Sequence, residues 1–312
     1  MFLKNRFNKY RFPLRYFCST KYYYATKIPF WDIFLPVKYI QFLGEYKYGK
    51  LMKTIPYFTK HINLLQTDQE LKSSFSKQTR YKINRAVRED IKFNIYKLDT
   101  KEKIDNYINY YNNFLKSKGL LFRISKREFY ALLKNYVVTY ASYNDEILVM
   151  HCSFVDYKLK TVYIHHSASH FRTLKKSKSN IDKNFISYAN CFLHYQDMLY
   201  FKNLGMKTYD FGGYGVNTDD KSILSINQFK DGFRGKLVQQ NHYISYPFLL
   251  ISLCYQMLKP CVIKQRIIKI EHLLNYIFQS KAPYFNYLSL LHFIVGIEER
   301  LNSSKKSPKA KG

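Results

Sequence analysis

What this 312-residue chain is short of narrows its reading before any motif is sought. Cysteine is sparse: positions 18, 152, 191, 254 and 261 are odd in number, widely spaced and without a CxxC pair. That excludes a disulfide framework or a structural zinc knot and fits reduced thiols in the cytoplasm. No apolar run approaches the roughly 20 residues that a membrane-crossing helix needs. The N-terminus lacks an unbroken apolar stretch, because Lys4, Arg6, Lys9, Arg11 and Arg15 interrupt its aromatics. A secretory signal is therefore not expected, and a cytoplasmic location is. Acid is scarce beside base: 22 Asp and Glu stand against 51 Lys and Arg, the first 27 residues hold no acid at all, and the net charge is +29. Such a field attracts polyanions, whether nucleic acid, anionic lipid, phosphorylated or nucleotide-linked small molecules, or an acidic carrier protein. It does not choose among them, and a lysine-rich solvated surface accounts for part of it.

What is present is a large apolar fraction, 46%, enough to bury a core for one or two domains. Tyrosine abundance carries no weight by itself, since Tyr, Lys, Asn and Ile are in excess together. Residues 1–60 read as a basic, aromatic N-terminal extension punctuated by Pro13, Pro29, Pro36 and Pro56. It is either an arm that contacts membrane or nucleic acid, or an extension wrapped on the domain. A short strand from His61 to Leu65 precedes a helix from about Gln69 through Arg88, capped by Thr67 or Asp68 with Glu70 in its first turn. A strand follows at Phe93 to Tyr96. Ile104, Ile108, Tyr111 and Leu115 recur at helical spacing after a cap at Asp99 or Thr100, and Gly119 lies just past the end. Ser125 opens a short helix. Val137 to Ser142, Ile147 to Val155 and Lys160 to His166 alternate as three strands. A long helix spans Asn180 to Leu204 and closes at Gly205; strands follow at Lys207 to Phe211, broken by Gly212 and Gly213, and at Lys236 to Ile244. This order predicts an α/β (α+β) fold, a mixed but mostly antiparallel sheet flanked by helices, over residues 61–247. Residues 248–302 read as a helical C-terminal extension with apolar runs at Phe248 to Leu258 and Leu288 to Val295, suited to core packing, an oligomer contact or a membrane interface. Residues 303–312 are a basic tail of disordered character.

Three segments carry chemistry-bearing side chains. In the first, from Leu71 to Glu89, a helix would place Tyr81, Arg85, Arg88 and Lys92 near one face, with Lys77 and Arg80 a turn upstream. Such a face holds phosphate through charge-assisted hydrogen bonds, or is simply a solvated basic helix. In the second, Tyr209-Asp-Phe-Gly-Gly-Tyr, the glycines let the backbone turn sharply or approach a ligand. Asp210 there is a candidate base, or a strand-end carboxylate that organises a loop. In the third, Ser225 to Val238, an aromatic turn presents Lys230 and Arg234, a cation suited to an oxyanion or a phosphate leaving group.

Taken in order, these segments resemble the FemAB-like branch of GNAT-superfamily acyltransferases. The basic Ser-Lys-x-Thr-Arg-Tyr-x-Ile-x-Arg-Ala helix comes first, then the amphipathic helix ending Lys118-Gly119, then the hairpin with Tyr163 and Ala168-Ser169. The long helix leads into Tyr209-Asp-Phe-Gly-Gly, and Phe229-Lys-x-x-Phe-x-Gly-x-Leu-Val closes the series. The resemblance covers about residues 60–247. It implies a GNAT-like transferase moving an activated acyl or aminoacyl group onto an amine or hydroxyl of a sugar nucleotide, lipid-linked glycan or muropeptide. The implied donor is acyl-CoA, acyl carrier protein or aminoacyl-tRNA, the implied acceptor is phosphorylated, and no metal is expected. The implied location is cytoplasmic, at the inner face of the cytoplasmic membrane, with peripheral contact to anionic lipid. Lys230 takes the place of the family lysine that stabilises charge, with Asp210 as a second catalytic candidate. Arg80 and Arg85 become acceptor contacts; Tyr209, Gly212, Gly213, Phe229 and Tyr163 shape the substrate cleft; Arg172, Lys178 and Asn180 are donor contacts. Two departures leave the donor open: Arg234 stands where the family has glycine, and no glycine-rich pyrophosphate loop precedes the long helix. The alternative is a non-catalytic transferase fold that binds nucleic acid or anionic membrane.

The histidines permit three roles: satisfied structural groups, a metal site, or a general base in a pocket. His151 and His165 are expected to face each other across the hairpin, with His170 beyond, whereas the adjacent His165 and His166 should point to opposite sheet faces.

Overall fold

The computed structural model describes residues 3–7, 19–44, 46, 49–120, 123–124, 126–169 and 181–257. Ten strands among them form one sheet: β1 (Leu3–Phe7), β2 (Ser19–Tyr23), β3 (Val37–Phe42), β4 (Lys53–Asn63), β5 (Lys92–Tyr96), β6 (Tyr136–Tyr143), β7 (Glu146–Asp156), β8 (Thr161–Ser169), β9 (Thr208–Tyr214) and β10 (Lys236–Ile244). Their order is β1-β2-β3-β10-β4-β9-β8-β7-β6-β5. Only the pairs β2–β3 and β8–β9 are parallel. The mostly antiparallel, helix-flanked sheet expected from the sequence is thus what the chain forms. The stretch ahead of residue 61 supplies β2, β3 and most of β4 to the same sheet.

Seven helices accompany the strands among the described residues: α1 (Asp68–Ser74), α2 (Lys77–Arg88), α3 (Lys101–Ser117), α4 (Lys126–Leu132), α5 (Lys183–Asn203), α6 (Lys221–Asp231) and α7 (Tyr246–Met257). One sheet face is covered by α3 and α4: Ile104, Tyr107 and Phe129 pack on Tyr136, Met150, Cys152, Phe154 and Tyr163. The other is covered by α1, α2 and α5: Leu71, Phe75, Ile83, Met198 and Phe201 pack on Ile62, Val155, Val162, Tyr209 and Phe211. β7 is buried on both faces, which is why its sequence is a nearly unbroken apolar run instead of an alternation. Cys152 and Cys191 are free thiols in this core, pushed above the ordinary thiol range by burial.

Local chemistry sets several boundaries. Thr67 closes a capping box on α1: its hydroxyl accepts from the Glu70 N–H, and the Glu70 carboxylate accepts from the Thr67 N–H at 2.7 Å. Thr100 caps α3 and Asp182 caps α5. Gly119 (φ 71°) and Gly205 (φ 79°) end helices in the left-handed region that glycine adopts at least cost.

Other expectations are corrected. The single helix from Gln69 to Arg88 is two helices, because Ser76 starts a second one by capping Thr79 N–H while its own N–H donates to Gly232 O. Lys92 belongs to β5 and not to a helix face with Arg85. The first strand is much longer than His61 to Leu65, reaching back to Lys53. Gly212 does not break β9 but bends it at φ 71°, and pairing with β4 continues to Tyr214. The aromatic turn carrying Lys230 is the last turn of α6, capped by the Asp220 side chain on the N–H groups of Ser222 and Ile223. His165 and His166 stack on the same side, 4.7 Å apart, because a bulge opposite Cys152 and Ser153 inserts one residue into β8. His151 pairs across the hairpin with Ser167 and lies on the α5 side, not against His165. Residues 170–180 and 258–312, with Arg172, Lys178, Asn180, His170 and most of the C-terminal extension, lie outside the described residues.

Candidate active site

The parallel pairing of β8 and β9 lasts three residues and ends at Tyr163 opposite Asp210. Beyond that rung β8 pairs only with β7, and β9 only with β4. An unpaired seam therefore opens in the middle of the sheet, with Asp210 at its apex and Gly212 and Gly213 along it. Side-chain alternation on β9 puts Tyr209 and Phe211 into the α5-side core and Asp210 on the opposite face.

Asp210 is fully buried and fully used. The Thr59 hydroxyl donates to Oδ1, the Gly212 N–H donates to Oδ1 at 2.7 Å, and His61 Nε2 lies 3.1 Å from Oδ2. Thr59 and His61 alternate along β4, so both reach the same face. A carboxylate only accepts, so the Asp210 contact selects the His61 tautomer protonated on Nε2 and leaves Nδ1 with a lone pair. The His61 side chain is 25% exposed and Asp210 not at all, which sets a buried anion behind an accessible imidazole.

Lys230 approaches Gly212 from α6. Its ammonium donates to Gly212 O at 3.1 Å and to Gly213 O at 2.5 Å, using two of its three protons. Burial pulls its pKa from 10.5 to about 8, against the attraction of Asp210, with the Lys60 charge acting in the same direction as burial. Gly212 is thus held on both sides, by Asp210 through its N–H and by Lys230 through its carbonyl. Lys60, buried beside them, pairs with Asp231, whose carboxylate also accepts from the Tyr214 hydroxyl at 3.0 Å. Asn227 fixes the loop after β9 by accepting from the Gly215 N–H at 3.0 Å and donating to Gly215 O at 2.6 Å. A bulkier residue at 212 would be strained: at φ 71° its Cβ would stand 3.2 Å from Ile164 O, a tight approach to backbone.

Aromatic rings floor the Asp210 face. Tyr24 stacks on Tyr163 with centroids 3.7 Å apart, and Tyr57 covers Gly213. Burial raises the pKa of Tyr24, Tyr57 and Tyr163, and the nearby Asp210 charge raises it further, so all three remain phenols. Tyr24 has φ 54°, an unfavourable backbone for an aromatic residue, held in place by its packing on Tyr163 and Phe154.

The structure gathers Lys230, Asp210, Gly212, Gly213 and Tyr163 at the seam. Tyr209 points away from it, its hydroxyl 2.7 Å from His194 Nδ1, and Phe229 packs on His194 and Phe233 in the same core. Arg80 closes α1 by donating to Ser73 O at 2.8 Å and to Phe75 O, and Arg85 pairs with Glu89 one turn on. Neither shares a contact with Lys230 or Asp210. Sequence reasoning missed His61, Thr59, Lys60, Asp231, Tyr24 and Tyr57. The alternation Tyr57, Thr59, His61 on one strand was the available signal.

A second polar cluster lies under α5. Asn190, His194 and Asp197 recur at helical spacing and face the sheet. Asp197 accepts from Thr139 at 2.6 Å and binds His151 Nδ1 at 2.7 Å, while His151 Nε2 lies 3.2 Å from Asn190 Oδ1. The ligand-type atoms of His151, His194 and Asp197 lie within 4.8 Å of one another. Both nitrogens of His151 and both carboxylate oxygens of Asp197 already serve hydrogen bonds, so the set is a self-satisfied buried network.

No protein-family model matches this sequence, and no curated protein matches it. Solved structures of similar architecture include the C-terminal domain of a protein assigned as a lysylphosphatidylglycerol synthetase from Agrobacterium fabrum, with TM-score 0.48 and 11% identity over 75% of this chain and 81% of that one. L-PGS from Bacillus licheniformis gives TM-score 0.47 and 11% identity, covering 73% of this chain and 77% of that one. FemX gives TM-score 0.47 and 14% identity, covering 64% and 63% respectively.

Proposed function

We propose that the chain is an acyltransferase that moves an activated acyl or aminoacyl group onto an amine or hydroxyl of a sugar nucleotide, lipid-linked glycan or muropeptide. The observation that carries this reading is the buried Lys230 ammonium, tied to two glycine carbonyls at the open seam with one proton left over. A desolvated cation at that point would stabilise the oxyanion that forms when an acyl carbonyl is attacked. His61 Nδ1, with Nε2 held by Asp210, would take the proton of the attacking amine or hydroxyl. Collapse of the tetrahedral intermediate would then expel the donor's thiol or hydroxyl, which takes the proton from His61. No covalent enzyme intermediate is needed, because two bound substrates held in line supply the rate through orientation.

The donor is acyl-CoA, acyl carrier protein or aminoacyl-tRNA, and the excess of positive charge suits each of them. The reading places the enzyme in the cytoplasm at the inner membrane face. A screen of the three donor classes with purified protein, run beside Lys230→Ala, tests it. Transfer from one class, lost in the variant, supports it. Transfer that the variant performs equally well removes Lys230 from the mechanism. Salt-dependent RNA or vesicle binding without transfer from any donor would favour a non-catalytic binding protein.

A further inference from the structure

A 3-10 turn at Phe30–Phe34 lies between Pro29 and Pro36. Asp32 and Ile33 are its inward residues, and the Asp32 carboxylate accepts from the Tyr39 hydroxyl in the core. That anchor turns the remaining side chains outward. Trp31 is 73% exposed and Phe34 60%, and Phe30 and Leu35 are exposed beside them. Phe30 meets Trp31 and Phe34 edge to face and Trp31 is tilted against Phe34, with centroids 5.7 to 6.2 Å apart, so they form one aromatic cap instead of scattered surface residues.

The cap is continuous with α7. The Ser245 hydroxyl donates to Leu35 O at 2.6 Å and accepts from the Val37 N–H at 3.0 Å, fastening the start of α7 to the turn. The helix Tyr246–Met257 contains no charged residue. Tyr246 OH donates to Lys50 O at 3.3 Å, which brings exposed Lys50 and Leu51 to the same neighbourhood, and Lys27 is exposed just before the turn. Between residues 19 and 60 the only acids are Asp32, which is buried, and Glu45.

We propose that this face, the Phe30–Leu35 cap with the start of α7 and the flanking lysines, docks on an anionic lipid bilayer. An apolar centre with an exposed tryptophan and a lysine rim is the surface that inserts to headgroup depth while its cations meet anionic lipid. A second copy of the chain fits less well, since each carries a net charge of +29 and the two would repel. None of the three ring pairs is parallel, so they also offer no flat platform on which successive bases could stack. Docking of this face would hold whatever reaction the seam performs.

Trp31 is the only tryptophan of the chain, so its fluorescence reports this face without a label. With the 312-residue chain, phosphatidylglycerol vesicles should shift Trp31 emission to the blue and co-sediment the protein. Phosphatidylcholine vesicles should do neither. Raising the salt should weaken binding, and Lys27→Glu with Lys50→Glu should do the same at low salt. Phe34→Glu, at an exposed position, should leave circular dichroism unchanged and weaken vesicle binding at least about tenfold, a difference of about 1.4 kcal/mol. Sedimentation without a blue shift, or full binding by Phe34→Glu, would mean that lipid meets another basic surface and would overturn the assignment. A blue shift that grows with protein concentration in the absence of lipid, or that appears with an oligonucleotide and not with vesicles, would assign the face to self-association or nucleic acid instead.

Discussion

Lys230→Met separates catalysis from stability at the seam. A lysine pKa pulled from 10.5 to about 8 means that keeping the ammonium there costs the folded state roughly 3 kcal/mol. Methionine fills a similar volume without charge and removes that cost. Against it stand two lost hydrogen bonds to the Gly212 and Gly213 carbonyls, worth about 1 kcal/mol each. The variant should therefore unfold at pH 7 within about 1–2 kcal/mol of the parent, on the stable side or level with it. Transfer should fall about 10²–10³-fold, the usual cost of removing one oxyanion donor. The pH dependence has a definite sign. Between pH 8 and 10.5 the unfolded chain holds the Lys230 proton and the folded chain does not, so stability should rise with pH across that window in the parent and not in the variant. Activity of the parent should decline above pH 8 as the ammonium is lost. Denaturant titrations at pH 7 and pH 10, with initial rates from pH 6 to 9.5, measure both. A variant that keeps its rate, or that loses several kcal/mol at pH 7, would refute the reasoning, because Lys230 would then be a structural clamp on the glycine bend.

Three further outcomes are expected. His61→Gln keeps a donor toward Asp210 but removes the proposed base, so rates should fall about 10²–10⁴-fold with little change in the unfolding midpoint. Gly212→Ala puts a Cβ 3.2 Å from Ile164 O at φ 71° and should destabilise by about 1–3 kcal/mol in urea titration. Asp197→Ala strands the Thr139 hydroxyl and His151 in the core and should cost about 3–5 kcal/mol, much of it recovered by Asp197→Asn. If instead zinc raises the melting temperature of the parent and Asp197→Ala abolishes that rise, the cluster is a metal site.

Much of the scaffold was legible because its signals are local. Thr67 with Glu70 announces a helix start, Ile104, Ile108 and Leu115 announce a buried face, and Gly205 announces an end, each within one or two turns of chain. Lys236–Ile244 is a strand by the same kind of evidence. The α1–α2 break was not legible, since the Ser76 N–H turns to Gly232 O, more than 150 residues away. Nor was α6, whose Ile223, Leu224 and Ile226 face solvent and give no amphipathic pattern. The stacked His165 and His166 depend on a bulge defined only by pairing with β7.

The site divides along the same line. The sequence alone determined that a glycine pair follows Asp210 and that a lysine stands eighteen residues after Gly212, because residue type and spacing are local facts. Only the tertiary structure decided that β4 would pair beside β9, bringing Thr59 and His61 onto Asp210, and that α6 would aim Lys230 at the Gly212 carbonyl. It likewise left Arg80 closing a helix and Tyr209 facing the core. Which side chains share a site is set by strand order and register, and those follow from burying apolar faces across the whole chain, not from any one stretch of it.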